Sequence, residues 1–332
     1  MFSVDLNRLQ KDVKENQSGQ FFCGGELVLV VIRCATNRKQ LLQFIDTTIE
    51  KVIDTRRNVR KEDPGHLSQM GLSAGSRNAP QLNWVKNIVS RRRNVGEHAL
   101  NDYAASSCFT VFWQFIKTLM PDEVVSDFED FMKTIGGDSR MDGNKSMDVD
   151  VDGRGEFIVS IGGTFFRFHG AELAPPAGVM SENYCRQVRF PQLLPNQPHK
   201  WAVSLTTSRV HDSSMVSADN GGHFYVAEYG VRVRAAANTI IAWRPKDYHG
   251  NSLFSFDGEN GGKQFYQRGL SFITSNRLPK AMQLLKEDKI KEAEEELLGA
   301  DGHDEHEDDV FVGILRRSPR LAKKNGKKGG GV

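Results

Sequence analysis

The chain has 332 residues and a formal net charge of only +2, because 44 Lys and Arg residues are balanced by 42 Asp and Glu residues. Apolar residues make up 39% of the chain, enough to build the core of one large domain or two ordinary ones. The small net charge excludes a polycation, so a contact with nucleic acid has to use a local patch or a tail. The apolar run at residues 21–32 is too short to span a bilayer, so we expect no membrane partner.

The first 137 residues are predicted to form a helical region that packs on the rest of the chain. Apolar residues recur there at spacings of three and four, which predicts helices over residues 1–16, 37–58, 82–120 and 121–136. The apolar segment Glu26–Arg33 predicts a buried strand because β-branched side chains favour extended backbone. The polar stretch up to Arg77 contains Pro64 and several glycines, and it predicts a loop.

Residues 138–155 are rich in Gly and Asp and predict a flexible linker or surface loop. After this linker, the apolar spacing changes from that of a helix to that of a strand. Two alternating segments flank Gly162-Gly163 and predict a β-hairpin. Short apolar runs then alternate with Gly, Asn and Pro at roughly ten-residue intervals, which predicts an antiparallel sandwich or barrel over residues 156–278.

Four polar side chains at the ends of these predicted strands are candidates for a metal and cofactor site. His211 and Asp212 follow a strand predicted over residues 200–210, His249 follows a strand and a proline turn, and Arg268 opens the last strand. Imidazole and carboxylate are the protein ligands of non-haem Fe(II), which leaves positions open for a cosubstrate and oxygen. A guanidinium group binds a carboxylate by two parallel hydrogen bonds.

Each of these assignments has an alternative. His211 and Asp212 also fit a hydrogen-bonded loop pair, and His249 also fits a turn histidine bonded to backbone. Asp219 is a second source of a carboxylate, and Arg277 is an alternative to Arg268. Because adjacent side chains on a strand point to opposite faces, His211 and Asp212 can share a metal only if the chain turns there.

The order of these groups resembles that in the double-stranded β-helix of Fe(II)/2-oxoglutarate oxygenases, over residues 155–278. Within that superfamily it is most similar to the divergent fungal and algal relatives of the TET/JBP nucleic-acid oxygenases. The resemblance implies an α+β fold in which a jelly-roll or cupin-like barrel is buttressed by the N-terminal helices. It also implies iron on His211, Asp212 and His249, and 2-oxoglutarate paired with Arg268. The family has one residue between the histidine and the acid, and this chain has none.

The function implied by the resemblance is an Fe(II)/2-oxoglutarate-dependent dioxygenase that oxidises a modified nucleic-acid base. Such a base has to be flipped out of a duplex to be reached. The irregular spacing of His211 and Asp212 supports an alternative, a catalytically degenerate module of the same fold that binds nucleic acid or a chromatin partner. A structural cupin-like domain with no nucleic-acid role is the third hypothesis.

The last part of the chain is predicted to be a helix over residues 279–299 and a disordered tail over residues 300–332. The tail is acidic at 301–309 and basic at 316–328, and it has too few apolar residues to form a core. The basic end predicts nuclear import or contact with DNA or RNA phosphates, and hence a nuclear location, with a cytoplasmic location as the alternative. A plain solubilising tail is the alternative.

Overall fold

The computed structural model describes residues 5–75, 80–85, 87–89, 95–136, 140–143, 156–186, 197–211, 221–254 and 265–289. All of these residues belong to the first of two units of the chain, Met1–Gly299. The charged tail forms the second unit, Ala300–Val332, and lies outside the described residues, as does most of the predicted linker.

The described residues contain α1 (Lys39–Thr55), α2 (Val95–Leu119), α3 (Asp122–Ile135) and α4 (Arg277–Lys286). Helix α1 forms because its apolar side chains recur on one face, where Leu41, Ile45, Ile49 and Val52 are buried. The predictions of α1, and of a helix starting after Pro121, are therefore confirmed. The predicted helix over residues 1–16 is wrong: a single 3-10 turn at Leu6–Arg8 is followed by a strand.

The strands, in chain order, are β1 (Lys11–Val13), β2 (Gly19–Cys23), β3 (Glu26–Arg33), β4 (His66–Gly75), β5 (Pro80–Trp84), β6 (Glu156–Ile161), β7 (Thr164–His169), β8 (Ala177–Glu182), β9 (Ala202–His211), β10 (Phe224–Val226), β11 (Val231–Val233), β12 (Thr239–Trp243), β13 (His249–Asn251) and β14 (Phe265–Phe272). The fold is therefore α+β, as predicted. Strand β3 and the hairpin formed by β6 and β7 have the predicted positions.

The strands form a large sheet, a small sheet and a separate hairpin. The large sheet has the order β2-β3-β12-β9-β14-β8-β4-β5, the small sheet has the order β1-β11-β10-β13, and β6 pairs with β7. The N-terminal region is thus not purely helical, because it supplies β1 to the small sheet and four strands to the large one. Strand β4 was expected to be a loop; it is extended because its first six residues pair with β8 and its remaining part pairs with β5.

Two apolar cores position the sheets. The larger core lies between the helices and one face of the large sheet, and it contains Val203 and Leu205 of β9. The second core lies between the two sheets, where Ala202 and Trp243 of the large sheet pack with Phe224 and other residues of the small sheet. The two sheets therefore face each other, as in double-sheet jelly rolls. No helix in the described part of the chain is both long and apolar enough to cross a bilayer.

Candidate ligand site between the sheets

His249 opens β13 and lies between the two sheets. Its partner across the small sheet is Val226, which belongs to the inter-sheet core, so His249 points the same way. Its ring centroid is 5.7 Å from that of Trp243 in the large sheet and 6.1 Å from that of Phe224 in the small sheet. His249 as a residue is half-buried, so it is not fully enclosed by the protein.

The hydrogen bond at Nδ1 fixes the chemical form of His249. Nδ1 is 2.7 Å from the backbone oxygen of Asp247, and a carbonyl can only accept, so Nδ1 carries the proton. Burial lowers the pKa of His249, which favours the neutral ring. Nε2 therefore keeps its lone pair. A neutral imidazole whose Nδ1–H is held by a carbonyl is the form in which histidine usually binds a metal.

The indole of Trp243 supplies an unpaired donor beside this ring. Its residue is 8% exposed, and its Nε1–H has no hydrogen-bond partner among the described residues. A buried donor left unpaired costs about 1–3 kcal/mol, so a ligand with an acceptor oxygen is favoured here. An imidazole lone pair and an N–H donor on neighbouring rings match a metal ion that carries an oxygen ligand. These residues therefore fit Fe(II), as one part of its site.

The structure does not bring His211 to His249. Trp243, which touches His249, pairs with Ala202 at the first residue of β9, whereas His211 is the last residue of this ten-residue strand. At ~3.3 Å per residue, the two ends of β9 are ~30 Å apart. The side chain of His211 and all of Asp212 lie outside the described residues. Within the described part of the chain, no three His, Cys, Asp or Glu side chains are placed to hold a metal.

Arg268 is not in the inter-sheet space either. It lies on the face of β14 that packs against α1, together with Leu270 of the larger core. Its Nε is 2.6 Å from Glu182 Oε2, its Nη1 is 3.2 Å from Asp46 Oδ2, and its Nη2 is 2.9 Å from Glu50 Oε1. The guanidinium that was expected to bind 2-oxoglutarate is thus already surrounded by three carboxylates of the protein.

Arg209 occupies the inner face instead. A bulge between Arg268 and Gly269 leaves one extra residue in β9, so the hydroxyls of both Thr207 and Ser208 donate to Asp46 of α1. The next residue, Arg209, consequently points to the other side of the sheet. There it donates from Nη1 to Gln267 Oε1 at 2.6 Å and lies 4.9 Å above the ring of Phe265.

Sequence reasoning missed Arg209 because a regular alternation from Val203 assigns it to the face that packs on the helices. The bulge reverses that alternation, and no residue pattern in β9 marks it. Arg209 is nevertheless placed between the sheets, because Phe265 beneath it is itself covered by the ring of Phe254, 5.0 Å away, from the segment that follows β13.

Hydroxyl side chains line the inner face of the large sheet between these two regions. Ser204 and Thr206 of β9 and Ser271 of β14 are half-buried, whereas Val203 and Leu205, on the helix-facing side of β9, are fully buried. The inter-sheet space is therefore polar and partly accessible along β9 and β14. It has an imidazole near one end of β9 and a guanidinium near the other, ~23 Å apart along the strand, so a single small ligand reaches only one of them.

No protein-family model matches the chain, and no curated protein matches it. Among solved structures, it is similar to NgTET1 in complex with 5mC DNA, with 7% identity, a TM-score of 0.49, and coverage of 83% of this chain and 86% of that chain. It is also similar to a prolyl-4-hydroxylase of Pseudomonas putida, with 5% identity, a TM-score of 0.35, and coverage of 73% and 89%.

A third similar structure is the collagen prolyl hydroxylase of Paramecium Bursaria Chlorella virus-1 in its 2OG complex. It has 7% identity to this chain and a TM-score of 0.31, and the match covers 75% of this chain and 96% of that chain. All three TM-scores are below 0.5. The fold and the candidate site of this chain are therefore defined by its own strand order and side-chain contacts.

Proposed function

We propose that the chain is an Fe(II)/2-oxoglutarate-dependent dioxygenase and that His249 is one ligand of its iron. The observation that carries the proposal is the hydrogen bond from His249 Nδ1–H to the carbonyl of Asp247, which leaves Nε2 available in the inter-sheet space. When bound, iron and 2-oxoglutarate supply the oxidising chemistry, in which oxygen is consumed and succinate and carbon dioxide are formed.

The protein's own groups have separate roles in this proposal. His249 binds the metal, and the indole N–H of Trp243 donates to an oxygen ligand of that metal. Arg209 faces the same space but lies ~23 Å along β9 from Ala202, the partner of Trp243, so it is too far from His249 to bind the distal carboxylate of 2-oxoglutarate on that iron. The hydroxyls of Ser204 and Thr206 are available as hydrogen-bonding groups along the inner face. Asp219 stays a candidate ligand on sequence grounds alone, whereas His211, which Asp212 directly follows in the chain, is at the far end of β9 and cannot share a metal with His249.

The proposed substrate is a modified base in DNA or RNA. This part of the proposal is supported by the family resemblance of the sequence and by the basic run at residues 316–328, which suits phosphate contacts and nuclear import. The polar, partly accessible inter-sheet space suits a flipped base better than a buried apolar group.

The test is an anaerobic titration of the full chain with Fe(II) and 2-oxoglutarate. The signal measured is the weak visible charge-transfer band of the ternary complex. We expect the band in the parent protein and its loss in His249→Ala. Arg209→Gln and Arg268→Gln should both leave the half-saturating 2-oxoglutarate concentration unchanged, because neither guanidinium lies within reach of an iron on His249. Absence of the band in the parent protein would overturn the proposal. Asp219→Asn then tests whether Asp219 supplies the carboxylate that completes the site.

One observation favours a second candidate function, a metal-free module that binds nucleic acid or a chromatin partner. Arg268, the arginine expected to hold 2-oxoglutarate, is bound by Asp46, Glu50 and Glu182 instead. The module predicts DNA binding that needs no metal, weakens steeply as salt rises and is lost when residues 310–332 are deleted. Binding that ignores salt and survives the deletion would exclude it.

A further inference from the structure

The turn that carries Asp247 is closed by both backbone and side-chain contacts. The turn joins β12 to β13, and Asp247 N–H donates to the Arg244 carbonyl at 3.0 Å, with Pro245 next to Arg244. The side chains repeat this closure, because Arg244 Nε donates to Asp247 Oδ2 at 2.9 Å. Proline fixes φ near the value that such a turn needs, so the turn is held by its sequence as well as by its bonds.

Tyr229 completes a triangle with these two residues. Its hydroxyl donates to Asp247 Oδ2 at 2.9 Å and accepts from Arg244 Nη2 at 2.6 Å. Arg244 Nη1 also donates to Glu26 Oε2 at 2.7 Å, on the β2–β3 hairpin. Asp247 is 5% exposed, so this bonding takes place largely away from water, where charge-assisted hydrogen bonds are strong.

The backbone on the other side of the turn is tied to the small sheet. Ala227 N–H donates to the Tyr248 carbonyl at 2.7 Å, and Tyr248 N–H donates to Glu228 Oε2 at 3.2 Å. Asp247 is therefore fixed through its own side chain and through the residue that follows it. Its carbonyl has one orientation, which is the orientation that accepts from His249 Nδ1–H.

We infer that Arg244, Asp247 and Tyr229 are a positioning set that fixes the tautomer and the ring direction of His249. Its importance for metal binding rests on the function proposed above. If the carbonyl of Asp247 is released, the imidazole can rotate and place its proton on Nε2, and an Nε2–H form cannot bind a metal through that atom. Partners of this kind typically change metal affinity by about 10–100-fold.

The first test uses the metal-free full chain with 15N-labelled histidine. The chain has nine histidines, and His249→Gln identifies the signals of His249 by their loss. We expect the Nδ1–H form in the parent protein and a mixture of tautomers in Asp247→Asn and Tyr229→Phe. Arg232→Gln is the control, because Arg232 is a buried arginine of the same small sheet whose ion pair, with Asp12, lies outside the set.

The second test measures Co(II) affinity by visible absorption, with Co(II) replacing Fe(II). We expect affinity about 10–100-fold lower in Asp247→Asn and Tyr229→Phe, and within twofold of the parent protein in Arg232→Gln. Tyr229→Phe removes one hydroxyl and keeps the ring, so it remains informative if Asp247→Asn fails to fold. An unchanged tautomer in both variants would overturn the positioning set. If His249→Gln binds Co(II) as tightly as the parent protein, the proposed iron site is wrong. The tautomer of His249, measured in the parent protein and in the Asp247 and Tyr229 variants, still tests the positioning set.

Discussion

Trp243 and His249 belong to different sheets, yet their ring centroids are only 5.7 Å apart. The contact joins the large sheet to the small one at the imidazole of His249, and the indole of Trp243 has an Nε1–H with no hydrogen-bond partner among the described residues. The pair therefore couples the packing of the two sheets to the chemistry of the proposed metal site.

Trp243→Phe should weaken cofactor binding more than it weakens the fold. The variant keeps an aromatic ring in contact with His249 but removes the N–H donor. Loss of one hydrogen bond of ~1 kcal/mol corresponds to about fivefold lower affinity for 2-oxoglutarate in the iron complex. Trp201→Phe is the matched control, since Trp201 is buried and its Nε1–H likewise has no hydrogen-bond partner among the described residues, but it packs in the core facing the helices. Equal affinity losses in the two variants would contradict a ligand role for Trp243.

Arg268→Gln should destabilise the fold while sparing the inter-sheet site. Without the guanidinium, the carboxylates of Asp46, Glu50 and Glu182 face one another with no cation between them. Removing one partner of a buried ion pair costs about 3–5 kcal/mol, and we expect the lower end because Glu50 is half exposed. Urea unfolding at neutral pH measures the loss. Glu50→Gln, which keeps the cation and the two more buried carboxylates, should cost less than about 1 kcal/mol.

His199 should make the fold sensitive to acid. Its ring is buried against Phe128, with centroids 4.4 Å apart, and burial lowers its pKa to about 4. A histidine harder to protonate in the folded state binds protons more readily when unfolded, so stability falls as pH drops from about 6.5 to about 4. The difference is about 3 kcal/mol. In His199→Phe this part of the pH profile should disappear, as measured by urea unfolding across that range. An unchanged profile would contradict the assignment.

The buried ion pair between Arg56 and Asp102 gives a test of its own. Arg56 is 2% exposed and Asp102 is 7% exposed, so each charge depends on the other in a region that water does not reach. Asp102→Asn should cost about 3–5 kcal/mol because it leaves the guanidinium without a counter-charge. The double variant Arg56→Met, Asp102→Leu should recover most of that loss, since a pair of apolar residues needs no desolvation of charge. Additive losses in the double variant would contradict this account.

The elements that the sequence predicted well are those whose own side chains determine their structure. Helix α1 buries a stripe at helical spacing, and β3 is a run of β-branched and leucine side chains that is buried in the cores on both faces of the large sheet. Strand β4 was missed because its glycines and polar residues resemble a loop, and its pairing with β8 and β5 is what makes it extended. At Gly71, φ is +90°, and a Cβ would lie 2.2 Å from the carbonyl oxygen of Pro176, so glycine is required by close packing rather than by a turn.

The site was harder to predict than the fold because it depends on which face each side chain occupies. His249 was a candidate, and the structure places it between the sheets. Arg209 and Arg268 carry the same guanidinium group, so chemistry alone does not distinguish them. Counting alternate residues along β9 without its bulge assigns Arg209 to the wrong face. Distances along the chain also gave no indication that His211 and His249 lie toward opposite ends of β9, since that separation is set by the pairing of β12 with β9.

The bulge at Thr207 means that β9 changes phase partway along its length. Deleting Thr207 would remove the bulge, yet Ser208 would still face helix α1 and Arg209 would still face the cleft, because the two residues would alternate directly after the inward-facing Thr206. The deletion would remove one of the two hydroxyls that donate to Asp46. The positive charge of the cavity is therefore independent of this extra residue, which serves the contact with helix α1.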